Sequence, residues 1–278
     1  DDWLMKITHV FRAEEHLNNT VRQLMIYEAL GATPPQFGHM SLIIGKDRQK
    51  LSKRHGATSV SLYREMQYLP NAVLNYLCLL GWSHPEEKDI FTPADLIPIF
   101  DSKRFNKAPA IFDLEKFAWV NSQHLRALSI EELVAGVDKS VPQGHAYHSQ
   151  TIEWKQTALT LIKEKIQFFG EAVPHLDEIF SPTVEMNDAL KEILSWPTTP
   201  QIKEYLKTEV EKLVSLGKER MDSADLDQWS NHIKNELKIK GKPLFQGMRG
   251  VLTGRDHGPD LKILMPLTPL NIVSERLK

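Results

Sequence analysis

Residues 69–81, LPNAVLNYLCLLG, carry their apolar side chains at intervals of three and four residues. A helix places such positions on one face, whereas a half-buried strand would show strict alternation. The spacing therefore predicts an amphipathic helix that ends at Gly81, because glycine readily adopts the left-handed conformation that follows a last helical turn. Strand periodicity nearly disappears beyond Ala57, so we predict that the rest of the chain is mainly α. The apolar positions of the helix are Leu69, Ala72, Val73, Tyr76, Leu77 and Leu80.

Further helix starts are predicted downstream from residues that cap helices. Thr92 precedes Pro93, and proline is favoured at the first helical position. Another start is predicted at residues 113–116, and Ser129 with Glu132 has the spacing of a capping box. The middle of the chain is therefore predicted to be helical.

The carboxy-terminal half is predicted to contain more than one helical unit. A helix is predicted over residues 152–169, and two prolines within residues 196–200 predict a boundary between units. Residues 261–267 and 270–277 predict two short helices at the end.

The segment upstream of Ala57 has a different pattern. Residues 3–11 predict a short buried strand, residues 15–30 a helix, and residues 37–44 a second strand, followed by a charged loop at residues 45–56. The order of strand, helix and strand predicts an incomplete α/β unit, with its chemistry in the loop.

Composition bounds the class of protein. With 41% hydrophobic and 25% charged residues in 278, the chain is typical of a folded protein of several domains. The single cysteine, Cys78, excludes an intramolecular disulfide and indicates a reducing cytoplasm. No apolar run is long enough to span a membrane. The net charge of -2 conceals a basic segment, residues 234–255, whose only acid is Glu236. A polyanion would therefore be bound by a local basic patch and not by the overall charge of the chain.

The charged loop includes the sequence KLSKRHG at residues 50–56. Two lysines that bracket a serine can converge on a triphosphate, where they neutralise the charge that grows as pyrophosphate leaves. A solvated charged loop is the alternative, and the residues alone leave both open. His145, His148 and His257 lack the neighbouring ligands of a metal site, so we predict no transition metal.

KLSKRHG resembles the signature loop of class I aminoacyl-tRNA synthetases, in the form found in bacterial glutamyl-tRNA synthetases. Residues 1–31, 68–83 and 240–261 resemble, in the same order, the nucleotide-binding, stem-contact and anticodon-binding regions of these enzymes. The resemblance implies four domains. They are a Rossmann-type catalytic remnant at 1–56, a stem-contact domain at 57–130, and two helical anticodon-binding subdomains at 131–198 and 199–278.

The resemblance also implies catalytic and substrate-binding residues. Lys53 matches the lysine that stabilises the ATP phosphates, with Lys50 assisting and Ser52 shaping the loop. Arg12 matches the arginine that binds a carboxylate of glutamate, although a surface arginine at a strand end is the alternative. Glu15 and His16 match the nucleotide side of the pocket. The alternative, equally compatible with the sequence, is that Glu15 lies in the first turn of a helix only because the helix dipole favours a negative charge there.

A second set of implied residues contacts the anticodon. Arg249 matches an arginine that recognises an anticodon base, with a phosphate-facing or solvated arginine as the alternative. The neighbouring contact loop is matched by Gly258, Pro259 and Leu261. Lys163 and Lys165 fall where some members have an arginine that inspects the third anticodon base, and lysine cannot make the same bidentate contact.

The implied activity is the ligation of glutamate to its tRNA, with ATP and Mg²⁺ as the substrate complex and AMP and pyrophosphate as products. We expect a cytoplasmic monomer that binds no membrane. No His-Ile-Gly-His-type motif precedes the matched segments, so we expect a tRNA-binding fragment that does not ligate alone. The alternatives are a stand-alone RNA-binding module and a glutaminyl-tRNA synthetase, which usually ends in β-barrel anticodon domains.

Overall fold

The computed structural model describes residues 1–51, 59–183 and 186–278. The chain divides into two compact units, Asp1–Ala127 and Leu128–Lys278. The boundaries between the four domains implied by the resemblance remain predictions.

The first unit begins with a small α/β arrangement. Strand β1 (His9–Ala13) leads through a single 3₁₀ turn to helix α1 (Leu17–Ala29), and β2 (Gln36–Met40) then pairs parallel to β1. Helix α1 connects the two strands, because parallel neighbours need a crossover connection rather than a tight turn. The incomplete α/β beginning predicted from the sequence is confirmed.

Two strand boundaries differ from the prediction. Residues 3–11 were expected to be a strand, but the strand starts at His9, and the preceding residues form turns in which Met5 N donates to the Asp1 carbonyl at 2.8 Å. Local hydrogen bonds of this kind compete with strand pairing, which the apolar pattern cannot show.

The predicted strand at residues 37–44 is two strands, because the chain changes partner. Its first part is β2, and β3 (Ile43–Ile44) pairs instead with β4 (Ala110–Ile111), far along the chain. A continuous apolar run contains no information about which neighbour each residue pairs with.

Apart from β4, the described residues 59–127 of the first unit form the α-helices α2 (Val60–Glu65), α3 (Pro70–Leu79), α4 (Pro93–Leu96) and α5 (Leu114–Ala127), and α3 packs on α5. The predicted helix at residues 69–81 is confirmed as α3. Tyr76 stacks on Phe117 with ring centroids 4.4 Å apart, and both side chains are buried. The Tyr76 hydroxyl donates to the Asp113 carbonyl at 2.8 Å.

The second unit contains only helices in its described residues, 128–183 and 186–278. These are α6 (Ile130–Ser140), α7 (Ile152–Ile162), α8 (Ala172–Phe180), α9 (Asp188–Ser195), α10 (Thr199–Ser215), α11 (Ser223–Asn235), α12 (Lys242–Thr253), α13 (Leu261–Leu264) and α14 (Leu270–Arg276). The Ser129–Glu132 capping box forms as predicted.

One helix of the second unit is shorter than predicted. The helix expected over residues 152–169 ends at Ile162 and is followed by a 3₁₀ turn, Lys163–Lys165. Ile166 is fully buried in extended backbone, so it keeps the helical spacing of apolar residues without being helical. The spacing pattern therefore overestimates the length of this helix.

A hydrophobic core of the second unit lies between α10, α11, α12 and α14 and includes the buried Trp229. Gly254 ends α12 in the left-handed conformation, with φ 65°. This cap turns the chain into the loop 254–260, which passes back beside the end of α12. Within residues 1–51, 59–183 and 186–278, no helix has both the length and the apolar composition needed to cross a membrane.

Candidate functional sites in the two units

Arg12 lies on β1, and its guanidinium is held by side chains of α1. Nη2 donates to Thr20 Oγ1 and to Gln23 Oε1, each at 2.6 Å, and the guanidinium carbon lies 5.2 Å from the ring centroid of Phe37. The side chain is half-buried. Its direction is therefore determined by several contacts, unlike that of a solvated surface arginine.

Thr20 connects Arg12 to two histidines. Its hydroxyl donates to the His16 carbonyl at 3.1 Å and lies 2.7 Å from His39 Nε2. His39 is the β2 residue that pairs in register with Arg12. The buried hydroxyl thus joins β1, β2 and α1 at one point, where Arg12 is placed.

Glu15, His16 and Lys50 also come together in the first unit. Lys50 Nζ lies 2.7 Å from Glu15 Oε2, and His16 Nε2 lies 3.8 Å from Glu15 Oε1. The hydrogen bond from Lys50, followed by its charge, lowers the pKa of Glu15. Because both side chains are substantially exposed, this ion pair contributes little to stability.

Lys50 owes its position to a short hairpin. It bridges antiparallel to Ile44, and Gly45 N donates to the Gln49 carbonyl at 2.8 Å. Ser52, implied to shape the loop, and Lys53, implied to stabilise the ATP phosphates, lie outside the described residues, so their positions stay predictions.

Arg249 is the centre of a second site, in the second unit. It lies on α12, and Nη1 donates to the Pro259 carbonyl at 2.8 Å. Burial lowers the pKa of Arg249, and the charge of Asp260 opposes the shift. Gly258 has a φ of 150°, and a Cβ built there would lie 3.3 Å from Nη1. The loop therefore approaches the guanidinium closely because position 258 has no side chain.

A cleft beside Arg249 brings together most of the residues implied to contact the anticodon. Lys165, Arg249, Gly258 and Pro259 all line it. Lys163 does not, because its Nζ donates to the Leu128 carbonyl at 2.7 Å. Leu261 is partly buried against the core of the unit rather than in the cleft.

The sequence interpretation missed two further arginines of this cleft. Arg276 Nη2 donates to the Ser181 and Glu178 carbonyls at 2.7 and 2.9 Å, and burial, with repulsion from Arg255, lowers its pKa to about 10. Arg255 Nη1 lies 2.6 Å from Glu178 Oε2. Arg255 is the last residue of the basic segment 234–255, but no sequence signal indicated Arg276 or the partners of either arginine, which lie 77 to 98 residues away.

Comparison with known families assigns both units. Residues 1–119 match the family described as tRNA synthetases class I (E and Q), catalytic domain, and residues 124–278 match the family described as anticodon binding domain. The chain belongs to the class I glutamyl-tRNA synthetase family. The catalytic match disfavours the stand-alone RNA-binding module, and the helical second unit disfavours the glutaminyl alternative.

Relatives of this family support the assignment. The chain is 38% identical to the glutamate–tRNA ligase of Natranaerobius thermophilus, over 96% of this chain and 55% of the relative. It is 41% identical to that of Bdellovibrio bacteriovorus, over 96% of this chain and 54% of the relative. A glutamate tRNA ligase from Elizabethkingia meningosepticum, crystallised with its amino acid, superposes with a TM-score of 0.83 at 29% identity, over 100% of this chain and 57% of that chain.

The chain spans about half the length of the curated relatives it matches. The resemblance to bacterial glutamyl-tRNA synthetases is confirmed at the level of the family. The individual site residues are not tested by these comparisons and remain proposals.

Proposed function

We propose that this chain belongs to an enzyme that ligates glutamate to its tRNA, and that its second unit recognises the anticodon. ATP, as its Mg²⁺ complex, glutamate and tRNA are the substrates, and AMP and pyrophosphate are released. One observation supports anticodon recognition most directly: Lys165 lines the same cleft as Arg249, Gly258 and Pro259 although it is more than 80 residues away from them in sequence.

The geometry at Arg249 suits recognition of an unpaired base. Its guanidinium is held through Nη1 by Pro259, which limits the orientations available to the remaining N–H groups. A planar guanidinium can stack on a base or donate hydrogen bonds to its edge. Because Arg249 is half-buried, such contacts would be made out of bulk water, where they are stronger.

The first unit contributes to substrate binding. Both N–H groups of Arg12 Nη2 are donated to Thr20 and Gln23, which fixes the guanidinium and leaves the Nη1 N–H groups to bind a carboxylate of glutamate. Lys50 is paired with Glu15, and the ATP phosphates would compete with that carboxylate for the ammonium group. Lys53, by resemblance, stabilises the phosphate charge in the transition state.

A binding titration tests anticodon recognition. Fluorescence anisotropy of labelled tRNA for glutamate and an anticodon-swapped tRNA would be measured with wild type and Arg249→Gln. We expect wild type to prefer the cognate tRNA and the variant to lose most of that preference. The salt dependence should change little, since base contacts specify and phosphate contacts position.

Lys207→Gln is the matched control, because Lys207 is an exposed cation of the same unit on α10. It should leave the preference intact. Equal affinity of wild type for the two tRNAs would remove Arg249 from the anticodon site.

A further inference from the structure

Helix α12 carries a row of three side chains, of which the first two are exposed and the last is Arg249. Lys242, Phe245 and Arg249 are three and four residues apart, so they lie on one face of the helix. Lys242 is exposed and Phe245 is 63% exposed, whereas Arg249 is half-buried at the cleft. Other residues of the helix pack into the core, and they include Leu244, Met248, Val251 and Leu252.

The segment of the chain that contains the row is basic. Within residues 234–255, Glu236 is the only acid, and four lysines of this segment are exposed. Lys242 Nζ lies 5.8 Å from the ring centroid of Trp196, which holds the ammonium group beside an aromatic face. The lysines are Lys234, Lys238, Lys240 and Lys242.

An exposed phenylalanine on a basic surface has a specific chemical complement. One exposed apolar side chain alone is ordinary, but a phenyl face among cations fits a strand that presents both bases and phosphates. Single-stranded RNA has both, because its unpaired bases stack on aromatic rings while lysines neutralise its backbone. The charge of this segment disfavours a basic or neutral protein surface as the partner.

We propose that Phe245 stacks on an unpaired base of the anticodon loop next to the base contacted by Arg249, while Lys242 neutralises a phosphate of the same strand. The proposal rests on the proposed function and extends it to a second base. Phe245 and Arg249 are about 6 Å apart along the helix axis, from a rise of about 1.5 Å per residue. At about 3.4 Å per nucleotide in a stacked strand, this is a step of one to two nucleotides.

Fluorescence of 2-aminopurine tests the stacking directly. The probe replaces each anticodon-loop base of tRNA for glutamate in turn, and each tRNA is titrated with the full 278-residue chain. We expect wild type to quench one loop position strongly. Phe245→Trp should retain the quenching, whereas Phe245→Leu, which keeps apolar surface but has no π face, should lose it.

Affinity gives a second readout. Phe245→Leu should weaken tRNA binding about 5- to 100-fold, as expected for the loss of one stacked base, without changing the salt dependence. Lys242→Ala should reduce the slope of log affinity against log salt by about one. The matched controls are Leu216→Ala, at a 75% exposed apolar residue, and Lys207→Ala, at an exposed lysine. Both should bind like wild type, and thermal melting should show that all variants fold.

The outcomes separate this proposal from the proposed function. If wild type prefers the cognate anticodon but Phe245→Leu binds and quenches like wild type, the stacking proposal fails alone and Phe245 is left for a protein contact. If quenching depends on Phe245 but the cognate preference is absent, the stacking stands and anticodon recognition fails. Absence of any tRNA binding by wild type would overturn both.

Discussion

Nε2 of His124, on α5, lies 2.9 Å from Oδ1 of Asn75, on α3, in the interior of the first unit. Both side chains are buried, and the same oxygen accepts from Phe91 N at 3.1 Å. Since the oxygen is an acceptor, the Nε2–H tautomer of a neutral imidazole satisfies this geometry. Burial lowers the pKa of His124.

The first prediction concerns pH. Between the lowered folded pKa and the unfolded value of about 6.5, the unfolded state binds more protons, so stability rises with pH. We therefore expect the first unit to lose stability as the pH falls below about 6.5, until the folded pKa is passed. Hydrogen exchange of α3 and α5, corrected for intrinsic rates, measures the effect. His124→Gln, which can still donate to Asn75, should flatten the dependence, and an unchanged slope would contradict the assignment.

The second prediction concerns Gly258. Alanine there should cost about 1–3 kcal/mol of stability, because a φ of 150° is strained for residues other than glycine. Its Cβ should also displace Arg249 and reduce the preference for the cognate tRNA in anisotropy titrations. Gly217→Ala is the control, since Gly217 has a φ of 75° but nothing within 4 Å of a built Cβ. It should lower the melting temperature without changing the tRNA preference. A normal preference in Gly258→Ala would argue against positioning by this loop.

The third prediction concerns glutamate binding in the full-length enzyme. Arg12→Lys removes the planar fork, and loss of a hydrogen bond to a charged group costs about 1.5–3 kcal/mol. We therefore expect KM for glutamate to rise about 10- to 100-fold, with a smaller change in kcat and in KM for ATP. Arg22→Lys, at an exposed position of α1, is the control. If KM for glutamate does not rise, Arg12 is a structural residue.

The fourth prediction concerns catalysis and rests on the resemblance at Lys53. In the full-length enzyme, Lys53→Ala should slow ATP–pyrophosphate exchange, measured with tRNA present. The activation free energy should rise by about 3–4 kcal/mol, because one contact that stabilises the transition state is lost. Affinity for tRNA should change little. Lys46→Ala is a matched control in the same charged loop, because Lys46 is outside the KLSKRHG sequence and its Nζ lies 3.4 Å from Asp113 Oδ1. An exchange rate within a few-fold of wild type would refute the role of Lys53.

Local features of the chain were predictable because neighbouring residues determine them. The helix at residues 69–81 follows from its apolar spacing, and the Ser129–Glu132 capping box from two side chains three positions apart. The mainly α character and the family resemblance rest on such segments. At Ile166 the apolar spacing continues although the backbone is no longer helical, so the prediction overestimated the length of the helix.

Only the tertiary structure brought distant residues into sites. Arg12 depends on Thr20 and on the β2 pairing that places His39 opposite it. Arg276 reaches carbonyls about a hundred residues upstream, and β3 pairs with a strand that begins at Ala110. The spacing of residue types along a chain predicts the hydrogen bonds within one helical turn or one cap, because the atoms that form them are only a few residues apart. Contacts across such separations depend on how all the intervening helices pack, and that is a property of the folded chain as a whole.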